Sequence, residues 1–249
     1  MMLQRREAMN ILKTPNQEEL YRLLFQLPPQ FEEAKCFIHR EKLTAEDVTR
    51  VGIQYVKNCF WDYGDSLTDD AWESTFHVNC EKKYTLHSAY LYEVIEFLLG
   101  YGLAPNAVYS SEYGNNNIIE MLRYIDHGYI AADTMRLLME HGADPNLPIN
   151  GETVFELVDF AVWFDAIEQE IRWRYDQWVH IWFVLLAYGG GTEEVRNTIE
   201  VFREYGKDEL FDLSKLRDHR NYGFCLSREN GEPTIHIFHK DTLWQVAKG

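Results

Sequence analysis

Residues 94–106, VIEFLLGYGLAPN, and residues 134–146, TMRLLMEHGADPN, align without a gap at an offset of 40. A third copy, HIWFVLLAYGG at 180–190, keeps the helical apolar spacing and the glycine but lacks the Pro-Asn. Apolar residues recurring every three to four positions up to a glycine describe a helix closed by a glycine cap. Each copy follows another helical stretch: 45–61, then NNNIIEMLRYID (115–126), then ETVFELVDFAVWF (152–164). The unit is therefore helix, connection, helix and glycine turn. Neither helix buries its apolar face alone, so the units are expected to stack side by side.

Outward from the repeat, the same spacing continues. Leu20, Leu23, Leu24 and Leu27 line one helix face after Thr14-Pro15-Asn16-Gln17, which supplies an N-cap, a proline at the first helical position and a capping-box glutamine. Pro28-Pro29 stops that helix, and Phe31, Ala34 and Ile38 resume the period over 30–41. Thr44, with Glu46 and Asp47 behind it, opens a helix carrying Val48, Val51, Tyr55 and Cys59 on one side. Residues 62–83, rich in Gly, Ser, Thr and acids, read as an insertion loop, and the period returns over 84–101 before Gly102. Residues 193–205 read as one more amphipathic helix through Val195, Ile199 and Phe202. From Tyr222 short β-prone runs flank Asn230-Gly231, a hairpin signal.

Composition narrows the class. Of 249 residues, 46% are hydrophobic and 14% aromatic, ample for a packed core. Acidic residues outnumber basic ones 40 to 24, a net charge of -16 that argues against nucleic acid or an anionic membrane as partner. Cys36, Cys59, Cys80 and Cys225 form no CxxC pair and suit a reducing compartment. The charged N-terminal stretch is no signal peptide, and no apolar run approaches the roughly 18 residues of a membrane span. A soluble, cytoplasmic protein is expected.

LLMEHGADPN (137–146), followed by NGETVFELV (150–158), resembles the ankyrin repeat. In that family Leu-Leu-x-x-Gly-Ala-Asp-x-Asn ends the second helix and starts a finger-like loop, and a Gly-x-Thr element, here Gly151-Glu152-Thr153, opens the next first helix. LLGYGLAPN (98–106) is a degraded second match. The family's Thr-Pro-Leu-His tetrapeptide is never complete. The offset between copies grows from 40 to 47, against about 33 in a standard repeat. The resemblance implies a mainly α fold: a short, irregular stack of about four helix pairs over 14–191, preceded by a tail at 1–13. A capping helix and a small antiparallel β hairpin or meander would fill 192–249.

Most of the excess negative charge lies in 1–191, and every charged residue between Arg136 and Arg172 is acidic. Glu152, Glu156, Asp159 and Trp163 fall at spacings of four, three and four, one stripe of a helix whose other face carries Val154, Leu157, Val158 and Ala161. The resemblance implies that this stripe faces the groove where partners dock. Loop residues 107–113 and 147–150 lie beside it, with Tyr109, Tyr113 and Leu147 as apolar contacts. An acidic surface steers a basic partner. The competing reading is a solvated face that favours the helix N-terminus.

His77-x-x-Cys80, with His87 and Cys59, has ligand types that zinc accepts, but no second close pair completes a structural spacing. No nucleophile elbow, phosphate-binding loop, dinucleotide fingerprint or HExxH motif is present. Gly189-Gly190-Gly191 follows a helix and is explained by a tight turn. The sequence thus points to a non-catalytic protein-binding module with no cofactor, no nucleic acid and no membrane partner. Its alternatives are an inhibitor or immunity-type protein masking a basic toxin or nuclease, and a carboxylate- or metal-dependent hydrolase.

Overall fold

The computed structural model describes residues 11–61, 87–111, 114–122, 125, 129–159, 172–191, 199–201, 212–229 and 232–240. The fold is mainly α. The chain divides into two compact units, Met1–Ala143 and Asp144–Gly249. The division falls inside the second glycine turn rather than at residue 191, where the sequence suggests a change of architecture. The insertion loop 62–83 lies outside the described residues.

In the first unit, α1 (Pro15–Leu24) and α2 (Phe31–Glu41) form the first helix pair. Next come α3 (Ala45–Trp61), a 3-10 turn (Ser88–Tyr90) and α4 (Leu91–Leu99). A short hairpin of β1 (Tyr109–Ser111) and β2 (Gly114–Asn116) leads into α5 (Ile118–Leu122) and α6 (Tyr129–Glu140). α1 packs on α2 and α3, α3 on α4 and α5, α4 on α6, and α5 on α6. Consecutive helix pairs therefore lean on one another. Their shared core is fully buried Leu20, Leu24, Val48, Val51, Tyr55, Val94, Leu98, Ile118, Ile119, Met135 and Leu138, the apolar positions of the helical period. Ile11 belongs to this core rather than to a loose tail. Its N–H donates to Gln54 Oε1 at 2.8 Å, and its carbonyl accepts from Arg50 Nη1 at 3.3 Å.

In the second unit, β3 (Pro148–Ile149) and β4 (Glu152–Thr153) form a two-residue hairpin ahead of helix α7 (residues 154–159) and α8 (Arg172–Ala187). From Val179 to Ala187 every face of α8 is buried, which is why that segment carries no polar stripe. A 3-10 segment (Leu213–Asn221) packs on α8 and lies in the chain between β5 (Ile199–Val201) and the pair β6 (Tyr222–Glu229) and β7 (Glu232–His239), which with β5 form a three-stranded sheet. β7 is central, antiparallel to β6 and parallel to β5. The sheet is therefore mixed rather than a meander, and the expected capping helix over 193–205 is overturned at 199–201. There Ile199-Glu200-Val201 registers with Ile235-His236-Ile237, and β-branched Ile199 and Val201 suit a strand.

Local chemistry repeats among the described helix pairs. Four first helices open on a side-chain cap. Thr14 Oγ1 accepts from Gln17 N–H (3.2 Å), Thr44 Oγ1 from Asp47 N–H (3.2 Å), Asn117 Oδ1 from Ile119 N–H (2.8 Å) and Thr153 Oγ1 from Glu156 N–H (3.1 Å). The side chain of Gln17 does not complete a capping box. It accepts from Lys13 N–H and donates to Asp47 Oδ1 at 2.8 Å, tying α1 to α3. Burial alone would raise the Asp47 carboxyl, but the bonds from Gln17 and Thr44 outweigh it and hold it below its ordinary range.

Four second helices close alike. Leu43, Leu103, Ala143 and Gly190 donate their N–H to the carbonyls of Ile38, Leu98, Leu138 and Leu185, at 3.1, 3.0, 3.0 and 2.8 Å. The residue before each donor, Lys42, Gly102, Gly142 or Gly189, has φ of 54, 93, 85 or 88°. This is a left-handed helix cap, and glycine occupies three of the four because it alone adopts that conformation without strain.

Candidate functional site

The glycine turns are linked by the asparagine of the repeated Pro-Asn. In the first unit Asn106 Nδ2 donates to Gly142 O at 2.8 Å. In the second, Asn146 Nδ2 donates to Gly189 O at 3.0 Å and Asn146 Oδ1 accepts from Gly191 N–H at 3.0 Å. Each asparagine thus fastens the turn of the following copy. The third copy has no Pro-Asn, so the series ends there. Gly190 and Gly191 are fixed by packing: a Cβ on Gly190 would lie 2.7 Å from Leu185 O, and one on Gly191 would lie 2.7 Å from the Phe155 ring. The glycine run is a contact surface for Phe155.

The segment between the second turn and α7 forms a short hairpin finger. Asn150 and Gly151 take φ of 56 and 97°, the left-handed pair of a two-residue hairpin loop. Asn-Gly followed by an extended Glu-Thr is the sequence signal for this turn, and Thr153 at its end caps the helix that Gly151-Glu152-Thr153 is expected to open. Asp144 Oδ1 accepts from Asn146 N–H at 2.8 Å, and Leu147 N–H donates to Asp144 O at 3.2 Å, which shapes the approach to the hairpin.

The acidic stripe is not one helix face. Glu152 is extended and exposed in β4, opposite Ile149, and helical geometry begins only at residue 154. Glu156 is exposed and completes a capping box: its Oε2 accepts from Thr153 N–H at 2.7 Å. That backbone bond and the Thr153 hydroxyl hold its carboxyl below the ordinary range. Asp159 is half-buried, and its Oδ1 accepts from the indole N–H of fully buried Trp182 at 2.9 Å. Asp159 is therefore a structural acceptor for a core tryptophan. Glu152 and half-buried Leu147 are on the finger of the second unit, and Glu156 follows in the first turn of α7. Trp163 and Tyr113 lie outside the described residues.

Tyr109 belongs to the first unit and is not an open contact. The Arg50 guanidinium lies 4.1 Å from its ring centroid, and Glu46 Oε1 accepts from Arg50 at 2.9 and 3.1 Å. Burial raises the Tyr109 hydroxyl above its usual range, the charge of Arg50 opposing it.

Among the described residues no three His, Cys, Asp or Glu side chains converge on a point that could hold a metal. His77 and Cys80 lie outside them. His87 stacks flat on Phe25, centroids 3.7 Å apart, with its Nε2 3.0 Å from Phe25 O, and Cys59 is buried in α3. In the second unit buried His180 sits 3.1 Å through Nδ1 from His219 O, so Nδ1 carries the proton. Burial, then the charges of His219, Lys240 and Arg220, pushes its imidazole down to about 4.

Among the described residues no helix is long and apolar enough to cross a membrane. No family model, no curated protein and no solved structure matches the chain.

Proposed function

We propose that this chain is a non-catalytic protein-binding module of ankyrin-like design, docking a basic partner through the finger around Glu152. The reading rests on one observation. A two-residue hairpin carries exposed Glu152, with exposed Glu156 directly behind it, in a stretch without a basic residue from Arg136 to Arg172. Repeated caps and asparagine-linked turns give such a finger a rigid base, which lowers the ordering cost of binding. Carboxylates at its tip draw in a cationic partner and raise the association rate, most strongly at low ionic strength.

The geometry dictates which substitutions test this cleanly. Asp159 supports Trp182 and is left intact. Glu156→Gln removes a charge while keeping the capping acceptor, and Glu152→Lys reverses the exposed tip. Affinity purification from the native cytoplasm, wild type against the Glu152→Lys/Glu156→Gln pair, is the measurement. The reading expects a basic protein retained by wild type at low salt and lost from the variant. An identical retained set for both proteins refutes it.

A further inference from the structure

A second acidic surface lies in the first unit, far in sequence from the finger. A shallow groove there is lined by Phe31 of α2, by Glu93, Glu96 and Phe97 of α4, and by Gly100 and Tyr101 just beyond α4. The three aromatic rings are half-buried and tilted against one another: Phe31 and Phe97 have centroids 5.2 Å apart at 45°, Phe97 and Tyr101 4.9 Å apart at 47°. Glu93 and Glu96 are exposed, and among the described residues neither has an ion-pair partner. Spacings of four place Glu93, Phe97 and Tyr101 in one row, with Glu96 and Gly100 in the next.

The same chain shows what such a set of groups holds. Arg50 lies over the Tyr109 ring while its guanidinium donates to the Glu46 carboxylate. Arg217 lies 4.5 Å over Tyr188, and Arg40 5.2 Å over Phe37. A planar guanidinium satisfies a ring face and a carboxylate at once, which a lysine ammonium does less well. The groove supplies both components without the cation. Basic groups on the neighbouring helices are committed or off the lining: Arg136 of α6 pairs with Glu140 at 3.9 Å, Arg40 of α2 lies over Phe37, Lys35 stands one turn beyond Phe31 on α2, and the His39 ring meets Tyr101 edge-on with centroids 5.6 Å apart.

Gly100 adds an independent indication. Its φ of -62° and ψ of -17° are ordinary helical values, so no left-handed conformation demands glycine there, although a Cβ would stand 3.2 Å from Phe97 O. The aligned positions of the other two copies carry Glu140 and Ala187. Absence of a side chain at 100 leaves the floor between Glu96 and Tyr101 open.

From these groups we infer that the groove receives an arginine side chain from an exposed segment of a protein partner. The guanidinium lies against the Phe97 and Tyr101 rings and pairs with Glu93 or Glu96. This site is distinct from the finger, and the two succeed or fail separately.

The probe is a capped pentapeptide, Gly-Arg-Gly-Arg-Gly, with Gly-Lys-Gly-Lys-Gly as its charge-matched control, titrated into isotopically labelled full-length protein and followed by amide NMR. The expected result is saturable shifts confined to residues 93–101 and Phe31, with the lysine peptide weaker. Glu93→Gln/Glu96→Gln and, separately, Gly100→Gln should each weaken the arginine peptide about tenfold or more with spectral dispersion unchanged. Glu18→Gln, an exposed acid of α1 outside the lining, should leave the titration as in wild type. No saturable shift at 93–101, equal response to both peptides, or full binding by the Gly100→Gln variant would overturn the assignment. Binding abolished by Glu152→Lys alone would transfer the peptide to the finger and overturn it equally.

Discussion

Asn117 is a polar residue at which the first unit should be sensitive to a single change. It is fully buried. Its Nδ2 donates to the carbonyls of Pro105 (2.9 Å) and Ala107 (2.8 Å), and its Oδ1 caps α5 through Ile119 N–H (2.8 Å). One side chain thus ties the turn after α4 to the start of α5. Asn117→Ala removes a helix cap worth about 1 kcal/mol and two further bonds of about 1 kcal/mol each, so a loss near 3 kcal/mol follows. With a urea m-value of about 2 kcal/mol/M, the unfolding midpoint of this unit falls by roughly 1.5 M. Urea titration by circular dichroism gives the shift, and hydrogen exchange of peptides spanning 100–122 locates it.

Two further variants at that position separate the roles. Asn117→Ser keeps the cap and should recover about 1 kcal/mol of the loss. Asn117→Asp also keeps the cap but turns an acceptor toward two carbonyls, so it should be no better than alanine near neutrality. Its buried carboxyl titrates higher in the fold than in the unfolded chain, so its deficit against wild type shrinks as pH falls toward 4. If Asn117→Ala lies within about 0.5 kcal/mol of wild type, well under one hydrogen bond, the reasoning fails. It also fails if aspartate is the mildest of the three at neutral pH.

Other expectations concern the second unit. His180 titrates at about 4 in the fold against 6.5 for an ordinary imidazole. The stability it contributes is therefore complete above pH 6.5 and is lost as pH falls toward 4, by up to about 3 kcal/mol. His180→Gln should flatten the stability profile between these pH values, and parallel profiles for the two proteins would contradict it. Asn146→Ala breaks the bonds to Gly189 and Gly191, both at the exposed turn, and should cost about 1–2 kcal/mol with hydrogen-exchange protection lost over 185–191. Asp159→Ala strands the Trp182 indole N–H in the core and should cost about 2 kcal/mol, whereas Asp159→Asn keeps an acceptor and should cost less. Thermal denaturation that ranks asparagine below alanine would exclude the bond as the cause.

The helix pairs were legible because their signals are local. Thr14, Thr44 and Thr153 are capping residues one turn ahead of apolar periods, and Gly102, Gly142 and Gly189 mark left-handed turns that other residues enter only with strain. The equivalent turn at Lys42 was invisible because a lysine in the left-handed region announces nothing. Residues 193–205 misled because Val195, Ile199 and Phe202 fit a helical spacing while Ile199 and Val201 also fit a strand; pairing with β7 decided between them. The candidate site was legible in composition and misread in geometry. Glu152 and Glu156 are both exposed, but Asp159 accepts a bond from a tryptophan 23 positions away.

By itself, then, the order of residues determined where helices start, where they stop and that their pairing recurs, because caps, glycine turns and apolar spacing act within a turn or two of chain. Only tertiary structure decided what each polar side chain is used for. Asn117 and Asp159 satisfy distant backbone or indole groups, and Phe31 of one helix meets Phe97 of another. The physical reason is that a buried donor or acceptor must find a partner wherever the fold brings one, and no spacing rule within a segment encodes that choice.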